Sequence, residues 1–337
     1  MKSQFLLIIL LILVSIQCSR SENRITFKLK IFTEYGRDTL SVKSLIGFIS
    51  DVTIDSSGNV YVLDKFSKTI KKYQSDGQFV DEFGFGEGEG PGELLNPKSI
   101  QVDDLGNIYV TDINKKTLTV YNNKNKLVII SKLPFWPAEL LVTKPYEIFV
   151  IGFPFTYSGD LIYRYLIEKD ILVLKSIFCR RIDSQNRFEI EHTGNAGRLI
   201  CGEKDELVYS FSYPYEIRKY KDTGTYINKL TGNVNFFETP YYKRRNIIET
   251  TCGTSGLVYL RNNILVNVIY KKDDSNMDYY FDFIDYKKMK YLGTINSKDF
   301  GFKVIRHVDS DKNGNLYLSI DEPYPKVVKV EYTFKCY

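Results

Sequence analysis

The stretch "DVTIDSSGNVYVLDKFSKTIKKYQSDGQFVDEFG", Asp51 to Gly84, alternates apolar and polar residues and is cut at short intervals by Ser-Gly-Asn and Ser-Asp-Gly. A period of two is the signature of strands. Gly-Asn and Asp-Gly between such runs predict tight hairpins. A lone sheet of three or four short strands cannot bury both faces, so this stretch predicts one unit of a larger array.

Two further copies are legible. "SIQVDDLGNIYVTDINKKTLTVYNNKNKLVII" runs from Ser99 to Ile130, and "HVDSDKNGNLYLSIDEPYPKVVKVEY" from His307 to Tyr332. All three share a strand, an Asp, a Gly-Asn turn, an apolar-Tyr-apolar strand, a further Asp (Asp64, Asp112, Asp321) and a third strand. Gly58-Asn59, Gly106-Asn107 and Gly314-Asn315 are expected to reverse the chain because both residue types tolerate positive φ. Between the copies lie three degenerate units, whose second strands begin near Ile148, Leu207 and Ile264. Second strands then start at Val60, Ile108, Ile148, Leu207, Ile264 and Leu316, in steps of 48, 40, 59, 57 and 52 residues. Six units of about 50 residues predict an all-β fold, a six-bladed β-propeller with blades of four antiparallel strands. The last unit has three strands of its own. "RITFKLKIF", Arg24 to Phe32, alternates like a strand and is expected to supply the fourth, closing the ring and covering a sheet edge.

Composition agrees. Apolar residues make up 43% and charged residues 26% of the 337, with 26 Tyr and 22 Phe among plentiful strand formers. The net charge of +5 is spread over 46 basic and 41 acidic residues, too dilute to point to nucleic acid. Lys243-Arg244-Arg245 is the densest basic cluster, and a solvated loop accounts for it.

On these residues units one, two and six resemble the NHL-type repeat, in which the strand-Asp-Gly-Asn-strand core is followed by "F-G-x-G-x-G-P-G-E" and a proline. The specific match covers Asp51 to about Ile130 and Val304 to Tyr332. The whole chain looks like a bacterial six-bladed propeller lipoprotein of the kind common in Bacteroidetes-like envelopes. The expected organisation is a targeting segment over 1–18 and one propeller domain over 24–337.

That targeting segment has a basic start at Lys2 and an apolar run from Phe5 to Ile16, too short to span a bilayer as a stable helix. Cys18 follows in "LVSIQC", which resembles a bacterial lipobox, where the cysteine takes up diacylglycerol. The resemblance implies an exported, lipid-anchored protein with Cys18 as the attachment point; cleavage after Ser19-Arg20-Ser21 is the alternative. Four cysteines remain, Cys179, Cys201, Cys252 and Cys336, and an exported chain permits disulfides without fixing their pairing.

Chemistry is harder to find. "EFGFGEGEGPGELLNP", Glu82 to Pro97, has alternating glycines but no Lys-Ser/Thr entering a helix, and its glutamates would repel phosphate. It is expected to be the crossing between units one and two, with glycine supplying unusual dihedrals. The two histidines, His192 and His307, are too few for a zinc centre of the usual kind. A calcium site built from Asp and Asn remains the cofactor of an alternative reading, a channel-centred hydrolase or lyase of the lactonase-like kind.

A binding face has more support. The loops between second and third strands share one side of the ring with the blade-to-blade crossings, and bring Phe66, Phe153, Phe155, Tyr157, Tyr213, Tyr215 and Tyr324 there. "FFETPYYKRR" adds Arg244 and Arg245. Aromatic rings with polar tips suit interfaces and sugar platforms, although they also fill propeller cores. The sequence therefore predicts a non-enzymatic module that binds an envelope protein, peptide or glycan, with no cofactor and no nucleic acid.

Overall fold

The computed structural model describes residues 25–36, 41–153, 159–182, 197–232, 241–244, 247–249, 251–273 and 276–336. Six four-stranded antiparallel sheets form a ring. Blade one is β2 (Ile49–Ile54), β3 (Val60–Asp64), β4 (Thr69–Tyr73) and β5 (Phe79–Phe83). Blade two is β6 (Pro97–Val102), β7 (Ile108–Asp112), β8 (Thr117–Tyr121) and β9 (Leu127–Lys132). Blade three is β10 (Trp136–Lys144), β11 (Glu147–Phe153), β12 (Asp160–Glu168) and β13 (Ile171–Arg180). Blade four is β14 (Gly197–Cys201), β15 (Glu206–Phe211), β16 (Glu216–Lys221) and β17 (Tyr226–Thr231). A small hairpin, β18 (Tyr241–Arg244) and β19 (Ile247–Glu249), interrupts the crossing to blade five. That blade is β20 (Cys252–Leu260), β21 (Ile264–Lys272), β22 (Met277–Asp285) and β23 (Lys290–Asn296). Blade six takes β24 (Ile305–Ser310), β25 (Leu316–Ile320) and β26 (Lys326–Cys336), and β1 (Ile25–Tyr35) pairs with β26 as its outer strand. The closure expected from "RITFKLKIF" is thus present. No helix among the described residues is long and apolar enough to cross a membrane.

The two faces of each sheet explain why blades need one another. In β3, Val60 and Val62 pack toward Tyr317 and Val327 of blade six, while Tyr61 and Leu63 pack toward Ile100 and Val110 of blade two. Side chains in a strand alternate in direction, so each blade feeds two cores. Six such cores lie between the six pairs of neighbours, and each holds large buried side chains such as Phe149, Tyr209 and Phe281.

The repeat motif is a hydrogen-bonded device. Asp103 Oδ1 accepts from the Leu105 and Asn107 N–H groups at 2.9 Å, and its Oδ2 accepts from Asn107 Nδ2 at 2.9 Å and Tyr109 Oη at 2.7 Å. Asp55 and Asp311 repeat the pattern with Asn59 and Tyr61 and with Asn315 and Tyr317. Positive φ falls on the glycines alone, at 84°, 78° and 71° for Gly58, Gly106 and Gly314. The paired asparagines contribute their side-chain amides instead, which corrects the expectation that both residues supply left-handed backbone.

Asp64 and Asp112 tie each crossing to its own blade. Asp64 accepts from Gly47, Phe48 and Phe66, and Asp112 from Leu95, Asn96 and Lys115, all through backbone N–H groups. The glycine-rich stretch is the crossing from β5 to β6. There Glu93 folds back to accept from Gly90 N–H at 2.8 Å, and a Cβ on Gly88 would stand 2.0 Å from its carboxylate. Lys115 Nζ donates to the Gly90 and Glu93 carbonyls and Tyr121 Oη to that of Gly92, so these carbonyls are spent on the protein itself.

Candidate functional site

The inner strands β2, β6, β10, β14, β20 and β24 contact one another in order around a central channel. Each enters it from the crossing end. Five of the six slip register within their first few residues, in β2 between Ile49 and Asp51, in β6 between Pro97 and Ser99, in β10 between Pro137 and Glu139, in β20 between Thr254 and Gly256, and in β24 between Ile305 and Val308. A bulge bends a strand and re-aims the side chains beside it. Asp51, Glu139 and Asp309 stand at or next to these slips, whereas β14 pairs without one.

Their centre is Arg198 of β14. Its Nη1 donates to Glu139 Oε2 at 2.7 Å and lies 3.9 Å from Asp51 Oδ1; its Nε donates to the Ser255 carbonyl at 3.2 Å. Nη2 lies 2.7 Å from His307 Nδ1. A guanidinium only donates, so Nδ1 accepts and the ring proton sits on Nε2. Burial, then Arg198 and Lys98, hold His307 well below its ordinary range and keep it neutral. Burial opposes the charge on Arg198, but Glu139 and Asp51 more than compensate and raise its pKa. Asp51 is saturated: Oδ2 accepts from Ser99 Oγ at 2.6 Å and Ile100 N–H at 3.0 Å, and Oδ1 from Val52 N–H at 3.0 Å. That carboxylate clamps blade one to blade two.

Two acids are differently placed. Burial pushes Glu139 up to about 7, with Arg198 pulling the other way. Asp309 of β24 is pushed up to about 8 by burial, against a 2.7 Å hydrogen bond from Ser310 N–H and with Asp51 and Glu139 adding to the rise. Both line a cavity of about 540 Å³ that opens at the end of the ring where first and second strands are joined. Leu141, Ile200 and Leu257 supply apolar wall, and Asp104, Tyr259, Arg261 and Lys312 the rim. The volume suits a small ligand or one residue of a polymer. A carboxyl group that exchanges its proton near neutrality can donate to or accept from hydroxyl, amide or amine groups. Among the described residues no three His, Cys, Asp or Glu side chains are grouped to hold a metal ion; the carboxylates converge on a guanidinium.

The aromatic face expected from the sequence is at the opposite end. Phe66 is 80% exposed there, in the loop between β3 and β4. Its neighbour Phe48, which the sequence reading passed over, is also exposed, shares Asp64 Oδ1 with it through backbone N–H groups, and carries the Arg306 guanidinium 4.8 Å above its ring. Tyr213 and Tyr324 are half-buried, Tyr324 with Lys326 Nζ 5.4 Å from its ring. Tyr215 does not belong to that face. It is 7% exposed, packed with Ile217, Leu257 and Tyr286 between blades four and five, because it turns inward just before β16. Phe155, Tyr157, Arg245, Cys18 and His192 lie outside the described residues, as do the side chains of Phe153 and Arg244.

The sequence reading missed Asp51, Glu139, Arg198 and Asp309, and weighed His307 only for a zinc centre, which it could not make without histidine partners. The available signal was a charged residue inside an otherwise apolar inner strand, as in "PAELLV" and "GRLIC".

No protein-family model and no curated protein matches the chain. Solved structures do. A member of the DUF4221 family from Bacteroides vulgatus is similar at a TM-score of 0.64 and 9% identity, over 94% of this chain and 100% of that one. A Bacteroides fragilis protein assigned as exported is similar at 0.60 and 12%, over 94% and 96%. A gluconolactonase from Xanthomonas campestris is similar at 0.55 and 12%, over 92% and 95%. At such identities the likeness establishes the fold these proteins share, a six-bladed β-propeller.

Proposed function

We propose that the chain is an exported, lipid-anchored propeller that acts as a binding module at the cell envelope, taking part of a peptide, glycan or envelope protein into the channel mouth. One observation carries this reading. Arg198 is consumed by Glu139, His307 and Ser255, while Glu139 and Asp309 face an open cavity with hydrogen-bonding capacity to spare. Such a site suits polar groups, and among the described residues its carboxylates are not grouped with other ligating side chains. Phe66, Tyr213 and Tyr324 form a second surface at the other end, and their place in this reading is a supporting contact for a large partner.

The test is a peptide and glycan array probed with the full chain, with Asp309→Leu and with Phe66→Ala. Binding lost in Asp309→Leu and kept in Phe66→Ala supports the channel mouth; the reverse pattern moves the site to the aromatic end. Hydrolysis of a lactone probe that a calcium chelator abolishes would replace binding by the lactonase-like alternative. Incorporation of a fatty-acid analogue that Cys18→Ala abolishes checks the anchor, and an unlabelled wild type would remove it from the proposal.

A further inference from the structure

In β26, Lys326 to Val330 pair with β25, but the strand runs on to Cys336 with only β1 beside it. Residues 331–336 and 25–30 are therefore a two-stranded ribbon beyond the body of blade six. One face of it is covered: Phe27, Leu29, Tyr332 and Phe334 pack on blade five, with Phe334 stacked 5.0 Å from Phe283. Alternation sends the intervening residues the other way. Lys28, Lys30 and Lys335 are exposed on the opposite face, with Glu331 as its single acid. None of the three lysines makes an ion pair among the described residues. Exposed Arg261, whose backbone N–H donates to Tyr332 Oη, lines a groove of about 860 Å³ beside the ribbon together with these lysines. Exposed Lys312 stands in the neighbouring hairpin, on the rim of the channel mouth.

We propose that this basic ribbon docks on the anionic headgroups of the membrane. Two observations select that occupant. The charge is one-sided on an otherwise bare sheet face, and cations near an anionic bilayer are attracted to it. The chain preceding Ile25 leaves the ring from the tip of the same ribbon, where Ile25 pairs with Cys336. Cys18 is seven residues earlier, a reach of at most about 24 Å when extended. A lipid on Cys18 would thus hold Lys28, Lys30 and Lys335 against headgroups rather than leave the ring free to tumble. This rests on the lipid-anchor reading for its geometry, while the charge of the ribbon does not. The channel mouth opens on the same end of the ring and would look toward the membrane.

The test is lysine footprinting with a water-soluble acylating reagent. The full chain is placed on vesicles of phosphatidylcholine, and on vesicles containing about one-third phosphatidylglycerol. On the anionic vesicles Lys28, Lys30 and Lys335 should react at least about fivefold more slowly, recovering in 1 M salt, with Lys68 and Lys303 at the crossing end unchanged. Equal rates on both vesicles overturn the proposal. The triple variant Lys28→Glu, Lys30→Glu, Lys335→Glu changes only exposed side chains and should lose at least about tenfold in partitioning to anionic vesicles. Unchanged partitioning of a variant that melts like the wild type also overturns it. Protection by soluble polyphosphate without vesicles would assign the ribbon to a free polyanion instead. Failure to float with phosphatidylcholine vesicles refutes the anchor alone, because the footprint on anionic vesicles still tests the ribbon.

Discussion

Blades two and five build the same four-stranded sheet by different means. In blade two the inner hairpin is held by Asp103, Asn107 and Tyr109, and its strands are five or six residues long. In blade five the acid is not in the turn itself: Asp285, at the end of β22, accepts a single bond from Asn263 Nδ2 at 2.8 Å. The first three strands of that blade are nine residues each, and the turn at Asn262-Asn263 has positive φ at both residues, 63° and 66°. The connection is only three residues, Arg261 to Asn263, against five between β2 and β3, and its left-handed residues reverse the chain tightly. One blade fixes its hairpin with a four-donor polar cluster, the other mainly with longer ladders and backbone conformation, plus one side-chain bond to Asp285. The difference teaches why one repeat is conspicuous in sequence while its structural equivalent is not.

The comparison breaks hardest at Asp103. Asp103→Ala should cost about 4 kcal/mol in chemical denaturation, since four donors lose a buried acceptor. No single polar residue of the blade-five hairpin should approach that. The channel, which joins blades of both kinds, comes next. Arg198→Met should destabilise by about 3 kcal/mol, because Glu139 is left buried without its partner. Asp309 carries the larger part of the pH dependence, with Glu139, pushed up to about 7, adding to it. The folded pKa of Asp309, about 8, lies above that of a free aspartate, so between about pH 4 and pH 8 the folded chain holds the extra proton and stability falls as pH rises. Asp309→Asn should match the wild type below pH 4 and be about 2 kcal/mol more stable at pH 8.5 in urea melts. Gly106→Ala, at φ 78° and with a Cβ 3.2 Å from that of Asn123, should cost about 1 kcal/mol. At the small end, Asn263→Gly relieves the left-handed φ of 66° but deletes the 2.8 Å bond from Asn263 Nδ2 to Asp285, and the two should cancel to within about 0.5 kcal/mol in urea melts.

The fold was legible because propeller geometry repeats. Apolar-Tyr-apolar strands and Gly-Asn turns recur at a near-constant step, and even the degenerate units kept second strands at Ile148, Leu207 and Ile264 within β11, β15 and β21. Closure was legible because "RITFKLKIF" alternates. The channel cluster was not, since Asp51, Glu139, Arg198 and His307 come from four blades and meet only when the ring is closed. A buried ion cluster leaves no period in the sequence. Tyr215 was misplaced for a related reason: position in a loop does not tell whether a ring turns out to solvent or back between blades.

The pairing of β1 with β26 also sets a clock. The first strand of the ring to be made waits for the last, so blade six cannot assemble until the chain has been delivered through Cys336. Contacts of such long sequence separation form late and slowly. Until then Phe27 lacks the Tyr332 ring that lies 5.6 Å away in the finished blade, and the edge of β26 is bare. A chain truncated before Lys326 would keep five complete sheets but leave β1 without its partner and the edge of β25 open, which makes the closing blade the natural checkpoint between a delivered protein and an aggregating one.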